Sequence, residues 1–260
     1  MESAIERIER PTYDQFRRHF LSRRQPLLID GAIEHWPAMR LWSFDYVERA
    51  LGDRHITPII LNRGNLYLDL QDGLRVEEMD FPRYRSQIED GDAPAYYLRL
   101  ALQGPFADLM GGDYETPIYC RHRILLKKNL WVGGKGAASS LHYDMTHNLI
   151  AQVVGRRRVM LFAPKDTEKL YPYPLRTLSW HHSQVRLEAP DLVRFPRFAE
   201  AQRIEFDIIA GEMLFIPQGW WHSFTTLQPA VAVNFFWLTK RLAPALALAR
   251  MAWVLKGVRT

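Results

Sequence analysis

Ser139-Ser140-Leu141-His142-Tyr143-Asp144 is the stretch on which the reading of this chain turns. In a β-strand, side chains at i and i+2 point to the same face. A His-x-Asp at a strand end therefore offers an imidazole and a carboxylate to one point in space. A third ligand has to come from another strand, and His222, at the start of Ser223-Phe224-Thr225-Thr226-Leu227, is the candidate. Two imidazoles and one carboxylate on one face of a metal leave the opposite face open. That arrangement suits non-haem Fe(II), which binds a co-substrate and O2 at the vacant positions.

His-x-Asp by itself is a common tripeptide, and its surroundings give it weight. Upstream, Asn129-Leu130-Trp131-Val132-Gly133-Gly134-Lys135-Gly136 is an apolar strand running into a glycine-rich turn. Downstream, Asn148 to Val154 and Arg157 to Phe162 are two β-rich runs joined at Gly155, a strand–turn–strand signal. Gly211 to Ile216 is a further strand, ended by Pro217-Gln218-Gly219, with Trp220-Trp221-His222 following closely. Short, turn-separated strands rich in β-branched and aromatic residues argue for an all-β barrel or sandwich over 129–237.

His142-Tyr143-Asp144, Leu170-Tyr171-Pro172-Tyr173-Pro174, Ser183-Gln184-Val185, Arg194-Phe195-Pro196, Ile216-Pro217, Trp220-Trp221-His222 and Val233-Asn234-Phe235 fall in one order along the chain. In that order and spacing the chain resembles the JmjC-type, cupin-like 2-oxoglutarate oxygenases. It is nearest to the protein hydroxylases typified by the asparaginyl hydroxylase factor inhibiting HIF. The resemblance implies a mainly β fold: a double-stranded β-helix (jelly roll) over 121–239 with iron near its open mouth. An N-terminal α/β lead-in over 1–120 braces it, and a C-terminal helix occupies 240–260. It also implies Fe(II), 2-oxoglutarate and O2 as cofactor and co-substrates, with succinate and CO2 as co-products.

The far carboxylate of 2-oxoglutarate needs a cation. Arg157 stands 15 residues after His142, at a position that is lysine in the asparaginyl hydroxylase. It alternates with Arg156 and Arg158. Either it points inward with Val159 and Leu161, where a guanidinium can grip a carboxylate with two parallel hydrogen bonds, or all three arginines are solvated. The resemblance also places Tyr97, Ser139, Asn148 and Asn234 at the co-substrate, against the alternative that each is an ordinary strand or strand-end residue. Ser179 to Val185 matches a loop that presents an arginine and a glutamine to the target asparagine. His181 and His182 stand there instead, which weighs against asparagine as the target. Neighbours on an extended segment point apart, so these two are not expected to chelate a metal together. Trp220, Trp221, Phe235, Phe236 and Trp237 form an aromatic run expected to wall the site, to pack the core, or both.

The remainder of the chain sets limits. Of 260 residues, 47% are apolar, enough for a sizeable core. The lone Cys120 excludes an internal disulfide and fits a reducing, cytoplasmic setting. Met1 to Arg7 is charged and does not read as a secretory signal, and no apolar run is long enough to span a membrane. A net charge of +5 and a pI near 9.3 are mildly basic, without an extended basic stripe. Tyr13–Leu21, Asp45–Leu51 and Met79–Ile88 read as helices, Gln25–Gly31 and Ala95–Leu100 as strands, and Ile56–Leu70 as two short strands about a turn at 62–65. Trp36 and Trp42 read as core. Ala243 to Leu255 is apolar almost all round, with Pro244 in its first turn, and must bury its surface. Family members dimerise through such helices, so a homodimer is expected.

The expected function is hydroxylation of an unactivated C–H on a protein or peptide side chain. Alternatives are a small molecule, a natural-product peptide or a tRNA base. Methyl-lysine demethylation ranks lower, since the chain has no reader domain. A metal cupin of the isomerase or quercetinase sort would need a His-x-His, which does not occur here. A non-catalytic binding module would have little use for an intact triad.

Overall fold

The computed structural model describes residues 4–62, 65, 66, 68, 69, 73–89, 96–120, 124–177 and 179–238. Its strands in chain order are β1 (Arg7–Glu9), β2 (Leu27–Asp30), β3 (Ile59–Asn62), β4 (Asn65–Leu66), β5 (Leu68–Asp69), β6 (Gly73–Leu74), β7 (Tyr96–Ala101), β8 (Ile124–Gly133), β9 (His142–Tyr143), β10 (His147–Val154), β11 (Arg156–Phe162), β12 (Arg203–Ile209), β13 (Met213–Ile216), β14 (Trp221–Thr226) and β15 (Ala230–Leu238). Nine of them form one sheet in the order β1-β2-β13-β10-β15-β8-β7-β3-β4. Four more form a second sheet in the order β12-β11-β14-β9. Only the β1–β2 pairing is parallel among these described ladders. Two large antiparallel layers are what the jelly-roll expectation requires.

Alternation along the strands divides the core in two. On the inner face, Leu28, Ile150, Leu214, Ile216 and Ala232 of the large sheet meet Val159, Leu161, Ile208 and Phe224 of the small one. On the outer face, Leu149, Ala151, Val153, Val231, Val233, Phe235 and Trp237 lie under the N-terminal residues Phe16, Trp36, Trp42, Val47 and Leu51. Burial of each such side chain contributes about 1.5–3 kcal/mol, so the covering layer is a large stabilising element. Trp36 and Trp42 are core, as expected. The chain passes from one sheet to the other at Gly155. There φ is +74°, and a Cβ would collide with the carbonyl of Pro229, so a side chain is excluded twice over.

The covering helices follow their sequence signals. α1 (Tyr13–Phe16) opens on a capping box between Thr12 and Gln15 and continues as a π-helical turn over Arg17–Leu21. A short α2 (Ala38–Leu41) follows. α3 (Phe44–Leu51) is capped by Ser43, buries Phe44, Val47 and Leu51, and stops at Gly52 with φ +55°. α4 (Phe81–Glu89) starts two residues later than the sequence suggests. Met79 is drawn into a bridge with Ile56, and the Asp80 carboxylate accepts from Arg83 N instead. Tyr84 then ties α4 to the barrel, donating its hydroxyl proton to Val132 O and accepting from Leu98 N at 3.1 Å. The turn at 63–64, and the C-terminal helix expected over 243–255 with the dimer contact built on it, lie outside the described residues. Among the described residues no helix is long and apolar enough to cross a membrane.

Candidate metal centre and co-substrate pocket

His142 and His222 are directly opposite one another in the β9–β14 ladder, and Asp144 follows two residues after His142. The two rings are 4.3 Å apart. The potential ligand atoms of His142, Asp144 and His222 all lie within 4.8 Å of one another. Each imidazole spends its Nδ1 proton on the backbone: His142 donates to Ser140 O at 2.8 Å and His222 to Trp220 O at 3.0 Å. That leaves both Nε2 lone pairs free to face the cluster, the usual outer support of a metal-binding histidine. Burial, and then the nearby His222, push the His142 pKa down to about 4, so its neutral, ligand-competent form prevails at neutral pH. Asp144 Oδ2 is buried without a hydrogen bond and lies 3.5 Å from His222 Nε2. An orphaned carboxylate oxygen is costly in a protein interior. A divalent cation between two neutral nitrogens and one carboxylate would satisfy it, and the donor set fits Fe(II).

The cleft that these ligands line, partly open to solvent, is also lined by Arg157. Arg157 is buried, whereas Arg156 and Arg158 are exposed, which settles the alternation as inward. Its Nε donates to Gln152 Oε1 at 2.6 Å, its Nη1 reaches Tyr97 Oη at 3.5 Å, and its plane lies over Phe224 at 4.7 Å. Nη2 has no partner, and among the described residues no carboxylate pairs with this guanidinium. Thr226, opposite Arg157 in the β11–β14 ladder, likewise keeps a buried hydroxyl without a partner. A buried cation with an idle donor and a neighbouring idle hydroxyl suits an incoming carboxylate.

A family profile described as "Cupin-like domain" matches residues 13–241. The chain belongs to the cupin-like domain family. Among its relatives is a protein named lysine-specific demethylase 8 from Xenopus tropicalis, 32% identical over 240 residues, 91% of this chain and 53% of that protein. JmjC domain-containing protein D from Dictyostelium discoideum is 29% identical over 252 residues, covering 89% of this chain and 56% of that protein. The human tRNA wybutosine-synthesizing protein 5 is 28% identical over 251 residues, 90% of this chain and 77% of that protein. The chain thus spans little more than half the length of the first two.

The other expected residues of this cupin-like, JmjC-type domain fall into two groups. Tyr97, Ser139, Asn148 and Asn234 all line the cleft with the triad and Arg157. Asn234 is committed to a network across three strands. Its Nδ2 donates to Asn148 Oδ1, and its Oδ1 accepts from Asn129 Nδ2 and Trp131 Nε1, each at 3.2 Å. The second group lies off the cleft wall. The segment before Ser183 is a turn, not an extended strand, so the His181 and His182 rings do not point apart but sit 4.4 Å from one another. His182 stacks on His142, with centroids 5.1 Å apart and a 17° interplanar angle, and its Nδ1 meets Ser140 Oγ at 2.9 Å. Burial holds its pKa well down, as it does that of His181. Of the aromatic run only Phe236 lines the cleft. Phe235 and Trp237 point to the outer core because β15 alternates, and Trp220 and Trp221 fill separate apolar clusters. The walls that sequence reasoning missed are Trp131 and Phe224, and the missed supports are Asn129, Gln152 and Thr226. Asn129 and Gln152 did carry a signal, since each is a polar residue interrupting an apolar strand.

Proposed function

We propose that this domain is an Fe(II)- and 2-oxoglutarate-dependent oxygenase that hydroxylates an unactivated C–H on a protein or peptide side chain. One observation carries the reading: a two-histidine, one-carboxylate cluster and a buried arginine lacking a carboxylate line one cleft. His142, Asp144 and His222 would hold the metal. Arg157, with Tyr97 and Thr226 beside it, would take the distal carboxylate of 2-oxoglutarate. When bound, Fe(II) and 2-oxoglutarate supply O2 activation coupled to release of succinate and CO2, with transfer of one oxygen atom to the target. The chain's part is to bind, orient and keep water out. Ser140 O and Trp220 O hold the two imidazoles in their ligating tautomer. Gln152 fixes the plane of Arg157, and Trp131, Phe224 and Phe236 give the cleft its apolar walls.

The test is anaerobic loading with Fe(II) and 2-oxoglutarate, exposure to O2, and mass spectrometry of candidate substrates. Succinate together with a gain of one oxygen is expected, and absence of succinate with every substrate would sink the oxygenase reading. Loss of a methyl group instead would move the target to an N-methyl lysine, the chemistry in the demethylase-named relatives. A tRNA substrate is the second reading. The tRNA wybutosine-synthesizing relative, 77% covered by this chain, favours it. RNA affinity falling steeply with salt would support it. A reducing, cytoplasmic setting, supported by the buried, disulfide-free Cys120, belongs to the same proposal, as does a homodimer through 243–255. Light scattering on the eluting protein checks the dimer.

A further inference from the structure

The inner face of the large sheet does not end at the triad and Arg157. Ladder registers extend it outward on β7 and β8 toward the cleft mouth. Arg99 is paired with Trp131, and Lys127 with Phe236, and both aromatic partners line the cleft. Paired residues in an antiparallel ladder share a face, so Arg99 and Lys127 stand on the cleft side. Lys127 Nζ lies 4.5 Å from the centre of the Phe236 ring. Arg99 and Lys127 both keep exposed surface. Desolvation of the charged ends lowers the pKa of both, Asp144 opposes that lowering in each, and Arg99 adds to it for Lys127.

Charge counting gives this pair a consequence. With Fe(II) and 2-oxoglutarate in place, the two charges of the metal and the one on Arg157 balance Asp144 and the two carboxylates of the co-substrate. Asp144 would then be committed to the metal, and among the described residues no other carboxylate acts on Arg99 or Lys127. Desolvation by a docked substrate raises the cost of leaving them so. Next to Lys127 the strand is apolar: Leu126 sits at a β-bulge and Ile124, paired with Leu238, returns to the cleft face, at 47% and 41% exposure, whereas Leu125 pairs with Trp237 and faces outward. An apolar run beside two cations matches a peptide that carries an acidic residue among apolar ones. It matches RNA less well, since nucleic-acid binding rests on a run of phosphate contacts along a basic stripe.

We propose that Arg99 and Lys127 form an anion subsite at the cleft mouth that binds a carboxylate of a peptide substrate and selects acidic segments. The subsite rests on the oxygenase reading for what happens to the peptide, but not for its binding. The full chain is immobilised, with and without Mn(II) and 2-oxoglutarate, and a random-sequence library of short peptides is passed over it. Retained peptides are sequenced. Wild type should enrich Asp and Glu about threefold over the input, the size that partly exposed ion pairs give, and more strongly when loaded. The R99Q/K127Q double variant should return the pool to its input composition while binding 2-oxoglutarate with unchanged affinity. Three results would overturn the subsite: no acidic enrichment in wild type, enrichment that survives in the double variant, or a labelled random-sequence RNA whose affinity drops about tenfold in the double variant while peptide selection stays put. Failure of the wild type to bind Mn(II) or 2-oxoglutarate breaks the oxygenase reading instead and leaves the peptide selection readable in the unloaded arm.

Discussion

Strand β10 and its neighbour β15 carry two chemistries back to back. Outward, Leu149, Ala151, Val153, Val231, Val233, Phe235 and Trp237 are apolar and buried beneath the N-terminal helices, and the buried His147 at the head of β10 accepts a hydrogen bond from Gln218 N at 3.1 Å. Inward, the same strands alternate apolar with polar: Asn148, Ile150 and Gln152, then Ala232, Asn234 and Phe236. The outer face has every reason to be as stable as its packing allows. The cleft that the inner face lines holds Asp144 Oδ2 and Arg157 Nη2 without partners, idle atoms of charged groups that cost more than the idle Tyr114 hydroxyl and Trp237 indole N–H of the outer core. One face builds the fold, and the other spends stability on a site that a metal and an anion would complete.

The sharpest way to break this contrast is to remove a ligand. Asp144→Ala should abolish Mn(II) binding, lowering affinity by more than about 100-fold, because even outer-shell partners of metal ligands are worth ~10–100-fold. The thermal midpoint of the metal-free protein should hold or rise, since an unsatisfied buried carboxylate oxygen has gone. Calorimetric titration and a melting curve read both. Retained Mn(II) affinity would remove the metal centre. Next in size is Arg157→Ala. Taking away one side of a buried charge pair costs about 2–5 kcal/mol, so 2-oxoglutarate binding in the presence of Mn(II) should weaken at least ~30-fold. Arg157→Lys keeps the charge but not the fork and should fall between.

The outer face predicts the reverse pattern. Trp237 is fully buried, with its ring 5.7 Å from Phe215 and 5.4 Å from His147. Trp237→Ala should cost about 3–5 kcal/mol in denaturant unfolding. Mn(II) affinity of the folded fraction should stay unchanged. A parallel loss of affinity would mean that the two faces are coupled through the strand and that the contrast drawn above is too simple.

The barrel was legible because its signals are local. Glycine punctuation at Gly155, the His-x-Asp step and the alternation through Arg157, Val159 and Leu161 are all written within a few residues. The helical caps at Thr12 and Ser43 belong to the same class, although α4 shows how a tertiary bridge at Met79 shifts a boundary. What sequence did not reveal depends on register between distant strands. Nothing local says that Asn129, Trp131, Asn148 and Asn234 join one network, or that Thr226 stands opposite Arg157. The orientation of the His182 ring is hidden from sequence for the same reason. Alternation was assumed for a segment whose backbone turns and lays that ring on His142. The aromatic run over 235–237 can wall the site, pack the core or do both, and strand alternation makes it both, with Phe236 in the cleft and Phe235 and Trp237 in the outer core.

The smallest effect tests the alternation itself. Arg158 is next to Arg157 in sequence but on the solvent side of β11, with its Nε 3.2 Å from Asp207 Oδ1 and 3.5 Å from Glu205 Oε1. These are half-exposed pairs across the β11–β12 ladder, worth about 0.2–1 kcal/mol at most. Arg158→Ala should therefore shift the unfolding midpoint slightly, the more so at low salt, and leave 2-oxoglutarate affinity within about twofold of wild type. Moving the same substitution one position along the chain changes the predicted loss of affinity from negligible to more than an order of magnitude. The residue type and the net charge change are identical, and the face differs. Were Arg158→Ala to weaken 2-oxoglutarate as much as Arg157→Ala does, the loss would report the overall positive field of three arginines rather than one inward-pointing guanidinium, and Arg157 would lose its place as the anchor.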